Sequence, residues 1–215
     1  MSIGLIGKKL GMTQIYDEDG AAMAVTLIQA GPCPILQKRE PETDGYSALQ
    51  VGFDPRSEKN VNRPMMGHFK KAGVDPVFCI RELRVDDTGE YEVGQALDVN
   101  LFEAGENVDI QGVTKGRGFA GTVKRYRTRR GPTTHGSHYH RRPGSSGASA
   151  DPSRVFKGKK NPGQMGSVRR TMQNLTVVAT DSEKNILVVR GTVPGANNGY
   201  LLIRKSVKEK GNKAS

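Results

Sequence analysis

The sequence predicts a mainly β protein, a small closed β-barrel with one short helix and a long, irregular basic arm inserted within the chain. Short apolar runs bounded by Gly, Pro or Asp occur on both sides of the middle of the chain. Hydrophobic residues make up only 35% of the 215 residues, so the core is modest. Between the two strand-rich parts lies a basic window, residues 115–172, with few core-forming side chains.

Strand-like runs before the window are short and end at turn-forming residues. They are Ala24–Ile28, Ile35–Lys38, Ala48–Phe53 and Val77–Leu83. The segments Tyr16–Gly20 and Asp86–Gly89 have the composition of hairpin turns. One helix is predicted over Asn60–Ala72, because Asn62 can cap its start, with Pro64 just inside, and Gly73 follows its end.

Strand-like runs return after the window. Thr176–Ala179 and Ile186–Arg190 flank a turn over Thr180–Asn185, and Tyr200–Ile203 is a further short run. Because such runs lie at both ends of the chain, residues 1–114 and 173–215 are predicted to form the barrel body together. Residues 115–172 are then the arm looped out of it.

Charge and composition exclude several classes of protein. No apolar run approaches the ~18 residues of a membrane-spanning helix, and Lys8 and Lys9 interrupt the apolar N-terminus, so neither a membrane partner nor a signal peptide is expected. Cys33 and Cys79 are too few for a disulfide framework or a zinc site, which favours a reduced, cytoplasmic protein. The net charge of +11 instead indicates nucleic acid or another anionic partner.

The positive charge is concentrated in the basic window. It holds 15 Lys and Arg and one acid, Asp151, whereas residues 1–114 have a net charge of −7 and residues 173–215 of +4. A solvated linker usually mixes both signs, so a polyanion is the better explanation. The predicted RNA-binding side chains are these cations and three histidines: Lys115, Arg117, Lys124, Arg125, Arg127, Arg129, Arg130, His135, His138, His140, Arg141, Arg142, Arg154, Lys157, Lys159, Lys160, Arg169 and Arg170.

Aromatic residues are interleaved with the cations of the window. Phe119, Tyr126, Tyr139 and Phe156 are candidates for stacking on unpaired bases. The alternative is that Phe119 and Phe156 anchor the arm to the barrel, and for Phe119 both interpretations stay open.

Enzymatic and metal-binding interpretations fail on context. Gly116–Gly121 matches a dinucleotide-binding pattern, but Arg141 and Arg142 stand where the acidic residue is needed, and kinase motifs are missing. The histidine spacing has no nearby Cys, and no Ser lies in a nucleophile-elbow motif. We therefore expect no catalysis, cofactor, metal site or small-molecule substrate, and interpret the glycines as points where backbone N–H groups approach phosphate.

The segment Asn161–Gly166 is predicted to be the tip of the arm. Lys157, Lys159 and Lys160 precede it and Arg169 and Arg170 follow it, as suits a hairpin inserted into RNA. Its residues are small or uncharged: Asn161, Pro162, Gly163, Gln164, Met165 and Gly166. Gln164 offers both a donor and an acceptor to bases or to the 2′-hydroxyl.

Five motifs together resemble one family. They are GLIGKKLGMTQIYDEDG (4–20), NRPMMGHFKKAG (62–73), VTKGRGFAGTVKR (113–125), HGSHYHRRPGSSG (135–147) and RVFKGKKNPGQMG (154–166). The chain closely resembles the bacterial-type large-subunit ribosomal protein L3 family. Two positions depart from the family pattern: Ser146 replaces an apolar residue, and Asn161–Pro162 replaces the usual Met-Ala of the tip.

The resemblance implies a barrel of the translation-protein type in the large ribosomal subunit of the cytoplasm. It also implies direct binding of large-subunit rRNA, early action in subunit assembly, and an arm that reaches toward the peptidyl-transferase centre. Neighbours would include ribosomal proteins L-fourteen and L-nineteen, with Mg ions bound to the rRNA nearby, and Gln164 would be a site of side-chain methylation. A free-standing basic nucleic-acid-binding regulator is the alternative, although no helix-turn-helix or zinc pattern is recognisable.

Overall fold

A computed structural model describes residues 3–17 and 19–208. It divides into two compact units. We call residues 3–113 with 169–208 the barrel unit and residues 114–168 the arm unit. Strands β1 to β12 of the described chain are Gly4–Tyr16, Ala22–Ala30, Cys33–Arg39, Ala48–Pro55, Val77–Arg84, Ala96–Leu97, Asn107–Val113, Phe119–Ala120, Gly163–Gln164, Arg169–Asp181, Ile186–Arg190 and Tyr200–Lys205. Helices α1 to α3 are Pro41–Asp44, Arg63–Ala72 and Thr122–Tyr126, and 3-10 turns occupy Glu58–Asn60 and Val99–Leu101.

Six antiparallel strands close into a barrel in the order β1, β12, β7, β10, β11, β2. Alternate residues of β12 point inward, so Leu201 and Ile203 are buried, and Ile110 of β7 lies directly opposite Ile203. Such alternation is what a strand with one core-facing side requires. The predicted mainly β fold with a closed barrel is confirmed.

A second sheet holds strands that the sequence did not separate from the barrel. Its order is β5, β4, β3, β6, so the predicted runs Ile35–Lys38, Ala48–Phe53 and Val77–Leu83 belong to it rather than to the barrel. The run Ala24–Ile28 lies within β2 of the barrel, as do Thr176–Ala179, Ile186–Arg190 and Tyr200–Ile203 within β10, β11 and β12. Local patterning finds strands but does not choose their partners.

Of the two predicted hairpin turns, one is confirmed and one is wrong. Tyr16–Gly20 leads from β1 into the antiparallel β2, and the Gly20 N–H donates to the Asp17 carbonyl; Glu18 lies outside the described residues. Asp86–Gly89 does not join paired strands, because β5 pairs with β4 while β6 pairs with β3. It forms a local turn instead, in which Asp87 Oδ1 accepts from the Gly89 N–H at 2.7 Å.

The predicted helix is confirmed with its caps, although it starts at Arg63. Asn62 Oδ1 accepts the Met65 N–H at 3.3 Å, and Gly73 ends the helix with a φ of +68°. Phe69 packs into a small core with Leu36 and Val77. The first residues of the predicted range form the separate 3-10 turn.

Two long barrel strands were not predicted. In β1, Lys8 and Lys9 interrupt the apolar pattern, yet Lys9 is only 7% exposed and its Nζ donates to the Val193 carbonyl at 3.2 Å. In β7, charged and amide side chains alternate with buried Val108 and Ile110. Lys9 counts as polar in a hydropathy pattern, but its buried ammonium group has a backbone acceptor. The pattern therefore does not indicate a strand there.

Candidate nucleic-acid interface

A two-stranded stem organises the arm unit. Phe119 pairs with Gln164 and Ala120 with Gly163. Below these pairs, the Arg117 N–H donates to the Met165 carbonyl at 2.8 Å and the Thr114 N–H to the Val168 carbonyl at 3.0 Å. The segment predicted to be an irregular loop therefore has a stem in which backbone N–H and C=O groups satisfy each other.

Glycines let the two sides of the stem approach each other closely. Gly166 has a φ of +73°, and a Cβ built there would lie 2.0 Å from the Lys115 carbonyl oxygen. No side chain fits at that distance. Gly118 also has a positive φ, +68°, but a Cβ built there would lie in open space.

Two residues of the predicted tip, Gly163 and Gln164, take part in this stem. Gly163 and Gln164 form β9, and the chain between the two stem strands, residues 121–162, includes most of the cations. The turn expected from the Gly and Pro content does not form because Gly163–Gln164 has a strand partner in Phe119–Ala120. Gln164 itself is exposed, and its Nε2 donates to the Met165 carbonyl at 3.4 Å.

A short helix follows the first strand of the stem and positions the side chain of one predicted cation, Arg125. Helix α3 ends at Tyr126, and the following residue, Arg127, caps it with a left-handed φ of +56°. Arg125 Nη1 donates to the Asn161 carbonyl at 2.9 Å, and the Arg125 guanidinium lies 5.1 Å from the centre of the Tyr126 ring. Arg125 thus bridges the two sides of the chain just above the stem, with Gly163 leaving room for it.

Tyr139 is held between two glycines. A Cβ on Gly131 would lie 2.4 Å from the Tyr139 ring, and one on Gly144 2.9 Å from its hydroxyl. The Gly131 N–H also donates to the His140 carbonyl at 2.8 Å. Sequence reasoning chose Tyr139 as a stacking residue but missed these glycines, whose only sequence signal is that each stands beside Pro in a basic segment.

Cations surround this tyrosine. A cavity of about 150 Å³ is lined by Tyr139 together with Arg129, Arg142, Lys159 and Lys160. The Lys159 ammonium donates to the Ser145 carbonyl, so that side chain is partly ordered by the backbone. The structure therefore brings together four predicted cations and one predicted aromatic residue that are spread over 32 positions of sequence.

Most of the predicted cations are exposed. Arg125 and Lys159 are half-buried, and the other predicted RNA-binding side chains lie on the surface: Lys115, Arg117, Lys124, Arg127, Arg129, Arg130, His135, His138, His140, Arg141, Arg142, Arg154, Lys157, Lys160, Arg169 and Arg170. No Lys or Arg of residues 114–168 forms an ion pair with another described residue. Arg169 and Arg170 belong to β10 of the barrel unit rather than to the arm unit.

The remaining aromatic candidates differ in exposure. Phe119 is 80% exposed and Phe156 59%, and the Arg154 guanidinium lies 5.4 Å from the Phe156 ring centre. Tyr126 and Tyr139 are 37% and 41% exposed. All four rings present surface to solvent, which stacking on a base requires.

Neither a metal-binding cluster nor a membrane-spanning helix is found among residues 3–17 and 19–208. His, Cys, Asp and Glu do not gather in groups of three that could hold a metal ion, and no described helix is both long and apolar enough to cross a bilayer. Cys33 and Cys79 are buried free thiols, and burial raises the pKa of Cys33 to about 12.

The fold and the candidate interface define a basic, mainly β protein with a large unneutralised cationic surface. Residues 84–184 match the family model described as Ribosomal protein L3. The chain is 53% identical over 96% of its length to the large ribosomal subunit protein uL3 of Heliobacterium modesticaldum, covering 98% of that protein. It is 53% identical to the uL3 of Desulforudis audaxviator (97% of each chain) and 52% identical to that of Pelotomaculum thermopropionicum (98% of this chain and all of the relative). The chain belongs to the ribosomal protein L3 family.

Proposed function

We propose that this protein is a structural, non-catalytic component of the large ribosomal subunit that binds rRNA directly through its arm unit and acts early in subunit assembly. Family membership supports the ribosomal role, since the relatives bear the name of a large-subunit protein. The observation that carries rRNA binding is the charge of the arm unit, which has 13 Lys and Arg and one acid and no internal ion pair among its described residues.

Charge neutralisation is the proposed mechanism. Exposed Arg and Lys side chains replace the counterions of phosphate strands, and their release into solution favours binding. Glycines such as Gly118 and Gly136, both with positive φ, expose backbone N–H groups where a strand can pass closely. The Tyr139 cavity then places an aromatic edge among four cations, an arrangement suited to an unpaired nucleotide.

The test compares salt dependence of binding in the full-length protein. Replacing Arg129, Arg130, Arg141 and Arg142 with Gln should lower the slope of log affinity against log salt for a large-subunit rRNA fragment by about 3, at ~0.7 per single-strand phosphate contact. A matched control replaces four exposed cations of the barrel unit with Gln: Arg63, Lys70, Lys71 and Arg190. The control removes the same charge but should change the slope much less.

Two results would overturn the proposal. An arm variant that keeps the wild-type slope would show that the cations do not contact phosphate. Equal affinity for duplex DNA and for the rRNA fragment at moderate salt would favour a free-standing basic nucleic-acid-binding regulator instead. Fluorescence anisotropy with both probes distinguishes these outcomes.

A finer proposal concerns Asn161–Gly166, which we infer lies near the peptidyl-transferase centre, with Gln164 as a methylation site. The support is the G-Q-M-G motif and the exposed amide of Gln164 on β9. Mass spectrometry of the tryptic peptide 161–169 from assembled subunits should show the mass of one added methylene on Gln164. An unmodified peptide from mature subunits would exclude the modification.

Gln164→Ala separates a ribosomal role from a folding role. Because the side chain is exposed and bonds only to the neighbouring carbonyl, the free energy of unfolding should change by less than about 0.5 kcal/mol. Subunit assembly should slow, or drug sensitivity at the catalytic centre should change. Normal subunit yield together with unchanged chemical reactivity of the rRNA there would contradict the inferred location.

A further inference from the structure

A cavity of about 490 Å³ lies in the barrel unit. It is lined by the outer face of β12 and β7 and by β5, the edge strand of the second sheet. Three arginines from three strands line it: Arg81 of β5, Arg169 of β10 and Arg204 of β12. Of these, only Arg169 belongs to the predicted set.

Arg204 is the most constrained of the three. It lies directly opposite Gly4 on β1, and a Cβ at Gly4 would be 2.9 Å from the Arg204 Cγ, so the methylene stem lies flat on the glycine. Its Nε is buried and donates no hydrogen bond within the described chain. Burial also lowers the pKa of Arg204. A buried guanidinium nitrogen without an acceptor is costly, and an anion at this position would relieve that cost.

The acids nearby are already engaged. Glu82, the acidic residue among the described lining residues, accepts the Tyr46 hydroxyl at 2.8 Å and lies 3.6 Å from Arg39 Nε. Asp109 of β7 lies directly opposite Arg204 of β12, but its Oδ1 accepts the Asn174 N–H at 2.9 Å and it forms no ion pair with Arg204 among the described residues. Arg81 Nη1 donates only to the carbonyl of Ile80, and Arg169 is exposed and unpaired among the described residues.

The walls of the cavity are partly apolar, and one of their aromatic rings is held by a stack and a hydrogen bond. The Tyr200 ring stacks on Phe78, with centroids 5.6 Å apart, and its hydroxyl donates to Asp54 Oδ2 at 2.6 Å. Leu202 and Pro194 add apolar surface, while Gln111 contributes an amide whose Nε2 already donates to Thr171. Positive charge beside a fixed apolar wall suits a phosphodiester joined to a sugar and base better than a small hydrated anion.

We propose that the barrel unit has its own RNA-binding site, in which Arg81, Arg169 and Arg204 hold a backbone phosphate of an unpaired rRNA segment. The site rests on the proposed function because its ligand is the same rRNA, but it does not depend on the arm unit. Planar guanidinium groups bind phosphate oxygens in a bidentate manner that ammonium groups do not reproduce. Arg204→Lys should therefore lose most of the contact although it keeps the charge.

The test uses full-length protein and a single-stranded large-subunit rRNA fragment. Arg81→Gln and Arg204→Gln should each weaken binding about tenfold and lower the salt slope by about 0.7. Arg190→Gln is the matched control, because Arg190 is an exposed barrel arginine outside the cavity. Arg81 is exposed, so its variant should fold normally even if Arg204→Gln proves destabilised, and thermal unfolding identifies that case.

The outcomes separate this site from the arm. Wild-type affinity and slope in the Arg81 variant, with full rRNA binding by the unmodified protein, would overturn the barrel site and leave the proposed function standing. Failure of the unmodified protein to bind the fragment would overturn both. If the variants instead weaken binding of a polyglutamate peptide and leave rRNA affinity unchanged, the cavity is a docking site for an acidic protein segment and the proposal is wrong.

Discussion

The barrel unit and the arm unit are each stabilised by a different kind of interaction. The barrel unit has a continuous core in which Leu5, Ile28, Ile110, Leu187 and Ile203 are fully buried. In the arm unit, Ala120 and Thr122 are the buried side chains of the described residues. Burial at about 25 cal/mol per Å² stabilises the first unit and does little for the second. The arm unit relies on backbone pairing and local turns, which are individually weak.

Backbone conformation strengthens the contrast. Five of the nine described non-glycine residues with positive φ lie in the arm unit, where they are Arg127, His135, His140, Ser153 and Ser167. Each costs about 1 kcal/mol or more relative to ordinary backbone. Without a core to offset this cost, we infer that rRNA stabilises the arm conformation. The barrel unit thus has a buried core of its own, whereas the order of the arm unit depends on rRNA in the function proposed above.

Core truncation should give the largest difference between the units. Ile203→Ala removes a fully buried side chain of β12 and should lower the free energy of unfolding by about 2–5 kcal/mol. Phe156→Ala, at a side chain 59% exposed, should change it by less than about 0.5 kcal/mol. Urea denaturation measures both. A comparable loss in the two variants would show that the arm aromatics contribute to a core.

Limited digestion with trypsin sharpens the same comparison in the free protein. The first cuts should fall between Arg127 and Lys160, about a hundredfold faster than cuts next to β2, β11 or β12, because opening the barrel requires near-global unfolding. Mass spectrometry of early fragments locates the sites. Adding the rRNA fragment should protect the arm, and an arm resistant without RNA would contradict its dependence on the ligand.

Two glycines with similar positive φ angles, Gly118 and Gly166, test whether the stem requires close approach of its two strands. Gly166→Ala should disrupt pairing because the new Cβ would overlap the Lys115 carbonyl, whereas Gly118→Ala meets open space and carries only the ~1–2 kcal/mol cost of its positive φ. Hydrogen exchange at the Arg117 and Met165 amides reports the stem directly. Equal protection in both variants would mean that the stem tolerates a wider separation.

The smallest expected effect of the four predictions is that of alkaline pH on the free energy of unfolding of the barrel unit. Burial and the hydrogen bond to Asp54 raise the pKa of Tyr200 to about 12, above the value of about 10 for an unfolded tyrosine. The unfolded chain therefore loses its proton first, and this stabilising contribution is complete below pH 10 and lost as the pH rises toward 12. Tyr200→Phe should flatten the decline of unfolding free energy over that range. If the unfolding free energy of the variant declined with pH as steeply as that of the wild type, Tyr200 would not cause the decline.

Local features were predictable because they depend on neighbouring residues. Asn62 and Gly73 mark the ends of α2, since a cap bonds to residues within one turn. The run Ile186–Arg190 is a strand with the predicted bounds, as its alternation and flanking turn require. The concentration of cations in the window 115–172 is likewise a property of the sequence alone.

Pairing between distant segments was decided only by the tertiary structure. No local pattern predicts that β1 lies between β2 and β12, that β3 to β6 form a separate sheet, or that Gln164 pairs with Phe119. The cavity of Arg81, Arg169 and Arg204 is a further case, since it joins three strands far apart in the chain. Composition and periodicity indicate where charge is concentrated and where most of the strand-forming runs lie, although they miss β1 and β7. Register and neighbours follow from side-chain packing over the whole fold.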